Sequence, residues 1–213
     1  MKREKNYIGS KKYSHTISSP VKKEIVKSWI KQHTSLSFYN YLDLLNSLYN
    51  ENSHDEISIG GKLLEYLPKL RKQINPEVLD VWLGNVEGWA EVDSLCQSNF
   101  TAEEILLKWP IWKKLINKFS TDKNIHKRRA SLVLLTGPVR KSTSKELSQL
   151  SFENITKLQN EKDILITKAV SWLLRCLIKN HRKETEDYLK KNEDKLPKIA
   201  IRETTKKLLT GKK

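Results

Sequence analysis

The residues best suited to chemistry are Trp89 and Asp93, in the stretch GWAEVD. A spacing of four on a helix sets the indole and the carboxylate on one face, one turn apart. Asp93 has Cys96 at +3 and Val92 beside it, so it lies on or at the edge of an apolar stripe. Arg129 lies within another stripe, with Ile125 at −4, Leu132 at +3 and Val133 at +4. Trp172 stands in AVSWLLRCL, with Arg175 one turn on. A lone acid or base on an apolar face is costly unless it is paired or put to use. Two readings stay open from spacing alone. Asp93 is either a solvated acid or half of a structural Asp–Arg pair, or it is held beside an indole to stabilise positive charge and take a proton.

The elements that must position these residues read as helices throughout. Ser19-Pro20 has the form of an N-cap with proline at the first helical position, opening a helix to about Gln32. SFYNYLDLLNSLYN, a helix from near His54 and EVLDVWL after Asn75-Pro76 follow, then the helix of GWAEVDSLC. Thr101 with Glu104 forms a capping box, and Pro110 starts the helix of IWKKLINKF. Ile105, Trp109, Trp112, Ile116 and Phe119 repeat at helical spacing and read as core. Asp122 is expected to cap KNIHKRRASLVLL, which Gly137-Pro138 should end. Ser144 or Ser151 starts the next element, and ILITKAVSWLLRCLIKNH, TEDYLKKN and IRETTKKLL complete the chain. Strand-like alternation is absent, as are a phosphate-binding glycine loop, a nucleophile elbow and a dinucleotide fingerprint. Short helices in series bury their stripes by stacking pair on pair. The expected fold is therefore all-α, an α-solenoid of antiparallel helix pairs, with an irregular bundle as the alternative.

The 213 residues suit a single domain over 1–213, with residues 1–19 as a flexible basic arm. The net charge of +15 is sorted along the chain. Residues 1–33 carry +7, 34–98 carry −6, 99–145 carry +8, 146–181 carry +1 and 182–213 carry +5. Such sorting points to a basic surface offered to a polyanion, against the alternative of lysine-rich solvated faces. The two cysteines, Cys96 and Cys176, read as buried free thiols, and no metal-ligand spacing occurs. The basic start lacks an apolar run, and no segment approaches the length of a membrane span. A cytoplasmic protein without membrane contact is expected.

Three segments in order, GWAEVDSL, HKRRASLVLL and KAVSWLLRCLIKNH, resemble the bacterial AlkD-type DNA alkylation repair glycosylases, built from HEAT-like helical repeats. The closing PKIAIRETTKKLL is similar to that family's basic C-terminal helix. The resemblance covers about residues 55–210; the N-terminal part lacks the family's glycine-centred turn before VKKEIVK.

The resemblance implies a concave basic surface and hydrolysis of the N-glycosidic bond of cationic N3- or N7-alkylated purines, such as 3-methyladenine and 7-methylguanine, in duplex DNA. A cationic purine leaves without a proton donor, so what remains is to stabilise an oxocarbenium-like sugar and place a water. Asp93 would do both. Trp89 and Trp172 would offer π-faces to the cation, and Arg129 would hold the phosphate beside the lesion. Lys127, Arg128, Arg140, Lys141, Arg175 and Lys179 are the expected phosphate contacts, with the acids of 34–98 turned elsewhere. The partner is double-stranded DNA with alkylated bases, bound by a monomer without cofactor or metal. The rival readings are a catalytically silent HEAT-like nucleic-acid-binding protein and a protein-binding helical scaffold.

Overall fold

The computed structural model describes residues 9–97 and 99–212. Among them are thirteen helices and no strand; an isolated parallel bridge joins Tyr13 to Ser53. The expected all-α class holds. The first eight residues of the proposed basic arm lie outside the described part. The chain divides into two compact units, Met1–Asn99 and Phe100–Lys213.

The first unit contains α1 (Ser19–Gln32), α2 (Phe38–Asn50), α3 (His54–Tyr66), the short α4 (Pro68–Arg71), α5 (Val78–Asn85) and α6 (Gly88–Cys96). Local chemistry sets their starts. Ser37 and Ser53 accept hydrogen bonds from the backbone amides of Asn40 and Glu56, relieving the open amides of a first turn. Helix α1 begins one residue earlier than expected, with Ser18 before it and Pro20 inside its first turn. Helix α3 lies in the middle, packed by α1, α2 and α6, while α2 also packs on α5. One row is thus α1, α3, α6 and the other is α2, α5. Tyr41, Leu45, Ile57, Leu64, Leu83, Val92 and Leu95 fill the space between them, with Tyr49 stacked on Trp82 at 4.7 Å.

Residues 9–16 form an extended strap across the starts of α3 and α6. Tyr13 donates its amide to the Asn52 carbonyl (3.2 Å) and accepts from the His54 amide (2.8 Å). Lys12 is buried, its ammonium on the Glu51 carbonyl at 3.1 Å. Asp55 binds strap and α1 together: it takes the Lys22 ammonium at 2.6 Å, the Ser14 hydroxyl at 3.0 Å and the His15 amide at 2.5 Å.

The second unit contains α7 (Ala102–Leu107), α8 (Trp109–Ser120), α9 (Ile125–Lys141), α10 (Lys145–Leu158), α11 (Ile164–Leu177), α12 (Arg182–Asn192) and α13 (Lys198–Thr210). The Thr101–Glu104 capping box forms as read from the sequence, and Ser144 caps α10. Helix α9 packs against α8, α10 and α11, and α11 against α13. In the other row α8 meets α10, and Phe152 of α10 stacks on Tyr188 of α12 at 4.8 Å. Each unit is therefore built of helix pairs in two rows, the construction of an α-solenoid.

Two local expectations fail in α9. Asn124, not Asp122, caps it, by accepting from the His126 amide; Asp122 instead accepts from the Asn124 amide. The helix also continues through Gly137-Pro138 to Lys141. A proline ring clashes with both the backbone N–H and the Cβ of a helical preceding residue, and Gly137 removes the second of these clashes. Every residue from Arg129 to Val139 is buried, so packing from four neighbouring helices, α7, α8, α10 and α11, outweighs the hydrogen bond that Pro138 cannot donate.

Burial alone would raise the Asp55 pKa, but the Lys22 ammonium, the Ser14 hydroxyl and the His15 amide together hold it below the ordinary carboxylate value. Asp55→Asn should cost about 3–5 kcal/mol, the scale for removing one partner of a buried pair, read as a lower urea midpoint. In the parent protein this stabilisation is complete above the unfolded carboxylate pKa of about 3.9 and is lost as pH falls through the lower folded value. Acid titration of the melting midpoint should show that loss, and the variant should lack it.

Candidate functional site

Helix α6 presents Trp89 and Asp93 half-buried, while Glu91, Val92, Leu95 and Cys96 face inward. The pair thus stands at the margin between core and surface, as the spacing indicated. The helix starts sharply. Glu87 is extended and Gly88 has φ +67°, a conformation that side chains disfavour. At its other end the Asn99 amide group donates to the carbonyls of Ser94 and Leu95, both at 2.8 Å. Against α3 the fit is close: a Cβ on Gly61 would overlap the Ser94 hydroxyl and carbonyl oxygens and lie 2.8 Å from the carbonyl carbon.

Glu91 is the acid that sequence reading passed over. It is fully buried, with Oε1 on His54 Nδ1 at 3.1 Å and Oε2 on the Glu87 amide at 2.7 Å. His54 lies 37 residues away, so no local pattern announces the pair. The available signal was position: two residues from both Trp89 and Asp93, Glu91 must point to the opposite, inward face.

In the second unit the candidates lie on α9 and α11. Arg129 is buried, and its Nη1 donates to the Leu165 carbonyl at 2.6 Å, bracing α9 against the first turn of α11. Trp172 is half-buried on α11, one turn before Cys176. Burial pushes that thiol's pKa up, while nearby Arg140, Lys207 and Arg175 and the indole pull it down. Both cysteines are free and buried, as expected.

The six cations read as phosphate contacts divide into two sets. Arg128 is spanned by Glu161, at 2.6 and 3.3 Å, and also donates to the carbonyls of Asp122 and Lys123. Arg175 pairs with Glu203 and with the Ser171 hydroxyl, which itself donates to Glu203. Burial lowers the Arg175 pKa. Lys127 stands 4.0 Å from Asp122. Arg140, Lys141 and Lys179 are exposed, with no carboxylate partner among the described residues. The Asn180 amide group donates to the carbonyls of Val139 and Ser142, and His181 Nε2 meets Ser142 O at 3.1 Å. These bonds bring Lys179 beside the end of α9, where Arg140 and Lys141 stand. Arg182 donates to the Leu208 carbonyl and so joins this turn to α13, which carries Lys207. Sequence reading missed the partner acids Glu161 and Glu203, which lie 33 and 28 residues from the arginines they bind. No group of acids, histidines and cysteines among the described residues could hold a metal ion, and no helix there is long and apolar enough to cross a membrane.

A family model described as DNA alkylation repair enzyme matches residues 2–208. The chain belongs to the DNA alkylation repair enzyme family. Its role is in the repair of alkylated DNA, and the likeness reaches well beyond residues 55–210, into the N-terminal part that the motifs fitted loosely. A solved structure described as a predicted DNA alkylation repair enzyme from Enterococcus faecalis shares the fold, with a TM-score of 0.78 and 18% identity. The match covers 98% of this chain and 94% of that one. A search of curated proteins finds no match. Within this family member, Trp89 and Asp93 stand on α6, which packs on α3 in the first unit, and Arg129 and Trp172 stand on α9 and α11, which pack on each other in the second.

Gly61→Ala tests the close approach that seats α6. The clash is with Ser94 backbone, so α6 must shift, and overpacking of this kind costs about 1–3 kcal/mol. Gly84→Ala is the control: a Cβ there meets nothing, and the helix should gain up to about 1 kcal/mol. Urea melting of both variants checks the contrast.

Proposed function

We propose that this chain is an alkylpurine DNA glycosylase that hydrolyses the N-glycosidic bond of cationic N3- and N7-alkylated purines in duplex DNA. Family membership supports the repair setting. The observation that carries the specific reading is Asp93, half-buried on the same face of α6 as Trp89. A carboxylate kept partly from water, next to an indole, can stabilise a cationic sugar and accept a proton from the attacking water. A purine that already bears a positive charge needs no acid to leave, and this proposal includes none. Arg129 is assigned the phosphate beside the lesion, with its Leu165 bond fixing where the guanidinium stands. Trp172 is assigned the second π-face. The enzyme is read as a cytoplasmic monomer that works without a cofactor.

Phosphate binding is assigned first to Arg140, Lys141 and Lys179, whose charges are exposed and without carboxylate partners among the described residues. Arg128 and Arg175, tied to Glu161 and Glu203, and Lys127 beside Asp122 come second. An exposed cation releases counterions from DNA, whereas a paired one must first give up its acid.

The deciding experiment incubates the protein with duplex containing 7-methylguanine and detects free base and abasic sites. Asp93→Asn keeps the shape and removes the charge. It should slow base release at least about 10²-fold, on the scale of one electrostatic catalytic group, with DNA affinity unchanged or higher. A variant that melts early yet releases base at the normal rate would mark Asp93 as structural. A parent protein that binds duplex without releasing base would favour the catalytically silent relative.

Charge reversal at Arg140, Lys141 or Lys179 should weaken duplex binding about equally for all sequences and lower the salt slope by roughly one per phosphate lost. Filter binding across a salt series checks this. Unchanged affinity in all three counts against the assigned surface.

A further inference from the structure

Glu91 stands between Trp89 and Asp93 in the chain, is wholly buried, and takes no part in the proposed chemistry. Both its oxygens have donors. An ionised carboxylate only accepts, so the His54 Nδ1–H donates to Oε1 (3.1 Å), and the Glu87 backbone N–H donates to Oε2 (2.7 Å). Glu87 is held in turn, its side chain accepting from the Lys11 amide at 2.9 Å. A Cβ on Gly9 of the same strap would lie 3.3 Å from the Gly88 Cα and 3.9 Å from the Trp89 ring. His54 is the first residue of α3, whose Gly61 seats Ser94 of α6. These contacts converge on the first turn of α6, where Trp89 stands.

Stability alone is a weak reason for such a pair. Replacing both partners of a buried polar pair by apolar groups of the same shape is often nearly neutral. Hydrogen bonds differ from apolar contacts in having direction. Helix α6 has nine residues, too few to hold itself, so its neighbours set how it is aimed. We infer that Glu91 is a positioning residue: with His54, Glu87 and the strap at residues 9–11, it fixes the first turn of α6 and so the placement of Trp89 and Asp93. This inference rests on the reading that Trp89 and Asp93 act on DNA.

The test compares Glu91→Leu, Glu91→Gln, Asp93→Asn and the Glu91→Leu/Asp93→Asn double variant in the full chain. Three quantities are measured: single-turnover release from 7-methylguanine duplex, affinity for undamaged duplex, and thermal melting. Glu91→Leu should fold and bind undamaged duplex as the parent does, yet release base at least about ten times more slowly, because ångström-scale misplacement of a catalytic group costs up to about 10²-fold. Glu91→Gln keeps an acceptor for the Glu87 N–H and should recover most of the rate. In the double variant the leucine should add little to the loss already caused by Asp93→Asn. Glu91→Leu with a lower melting point and a normal rate overturns the inference, as does Glu91→Gln no better than Glu91→Leu. If Asp93→Asn leaves release unchanged, the reading of Asp93 falls, and the inference with it. Should Glu91→Leu fail to fold, Glu87→Ala severs the strap from α6 at a half-buried position. It should slow release several-fold, and a normal rate there overturns the inference.

Discussion

A carboxylate taken out of water must be met by donors, and the first unit is arranged around two that are. Glu91 and Asp55 are both buried, and each left unpaired would cost several kcal/mol. Their donors come from different stretches of chain: Lys22 from α1, His54 from α3, the Glu87 amide before α6, and Ser14 and His15 from the strap. Satisfying the two acids therefore joins α1, α3, α6 and the strap into one polar framework. The apolar core fills the space between helices without directing it. The hydrogen bonds choose among the ways in which that core could close.

The second unit meets the same demand differently. Its central helix α9 is buried over eleven consecutive residues, Arg129 to Val139, so its one buried cation needs a partner within reach. Arg129 donates to the Leu165 carbonyl, an acceptor in the first turn of α11. That bond fixes where the guanidinium stands. Arg128, one residue earlier and half-exposed, pairs with Glu161. Helix rotation of about 100° per residue turns the two neighbouring arginines toward different stretches of chain.

The basic character of the chain is real, but less of it is available than a count suggests. Residues 99–145 carry +8 as a segment, yet Arg128 and Lys127 face acids. Among the exposed cations, Arg140 and Lys141 end α9 and Lys179 follows α11, while Lys207, half-buried, lies in the last turn of α13. Cations are favoured there by the carbonyl ends of the helices. The same positions leave long side chains free to reach a polyanion.

Much of the fold was legible in the sequence, because helix starts and stripes are local. The Thr101–Glu104 box, the Ser144 cap and the Trp112–Ile116–Phe119 stripe rest on residues within one or two turns of each other. The half-buried standing of Trp89 and Asp93 followed from their +4 spacing, and three short motifs in order sufficed to name the family. What sequence could not decide was everything set by residues far apart in the chain. Gly137-Pro138 carries a local stop signal, which packing by α7, α8, α10 and α11 overrides. Glu91 passes unnoticed without His54 against it, and Arg128 and Arg175 read as available cations without Glu161 and Glu203. Helical periodicity determines which face a residue takes. Only the tertiary structure determines what that face meets, because a buried charge is decided by its partner rather than by its neighbours in sequence.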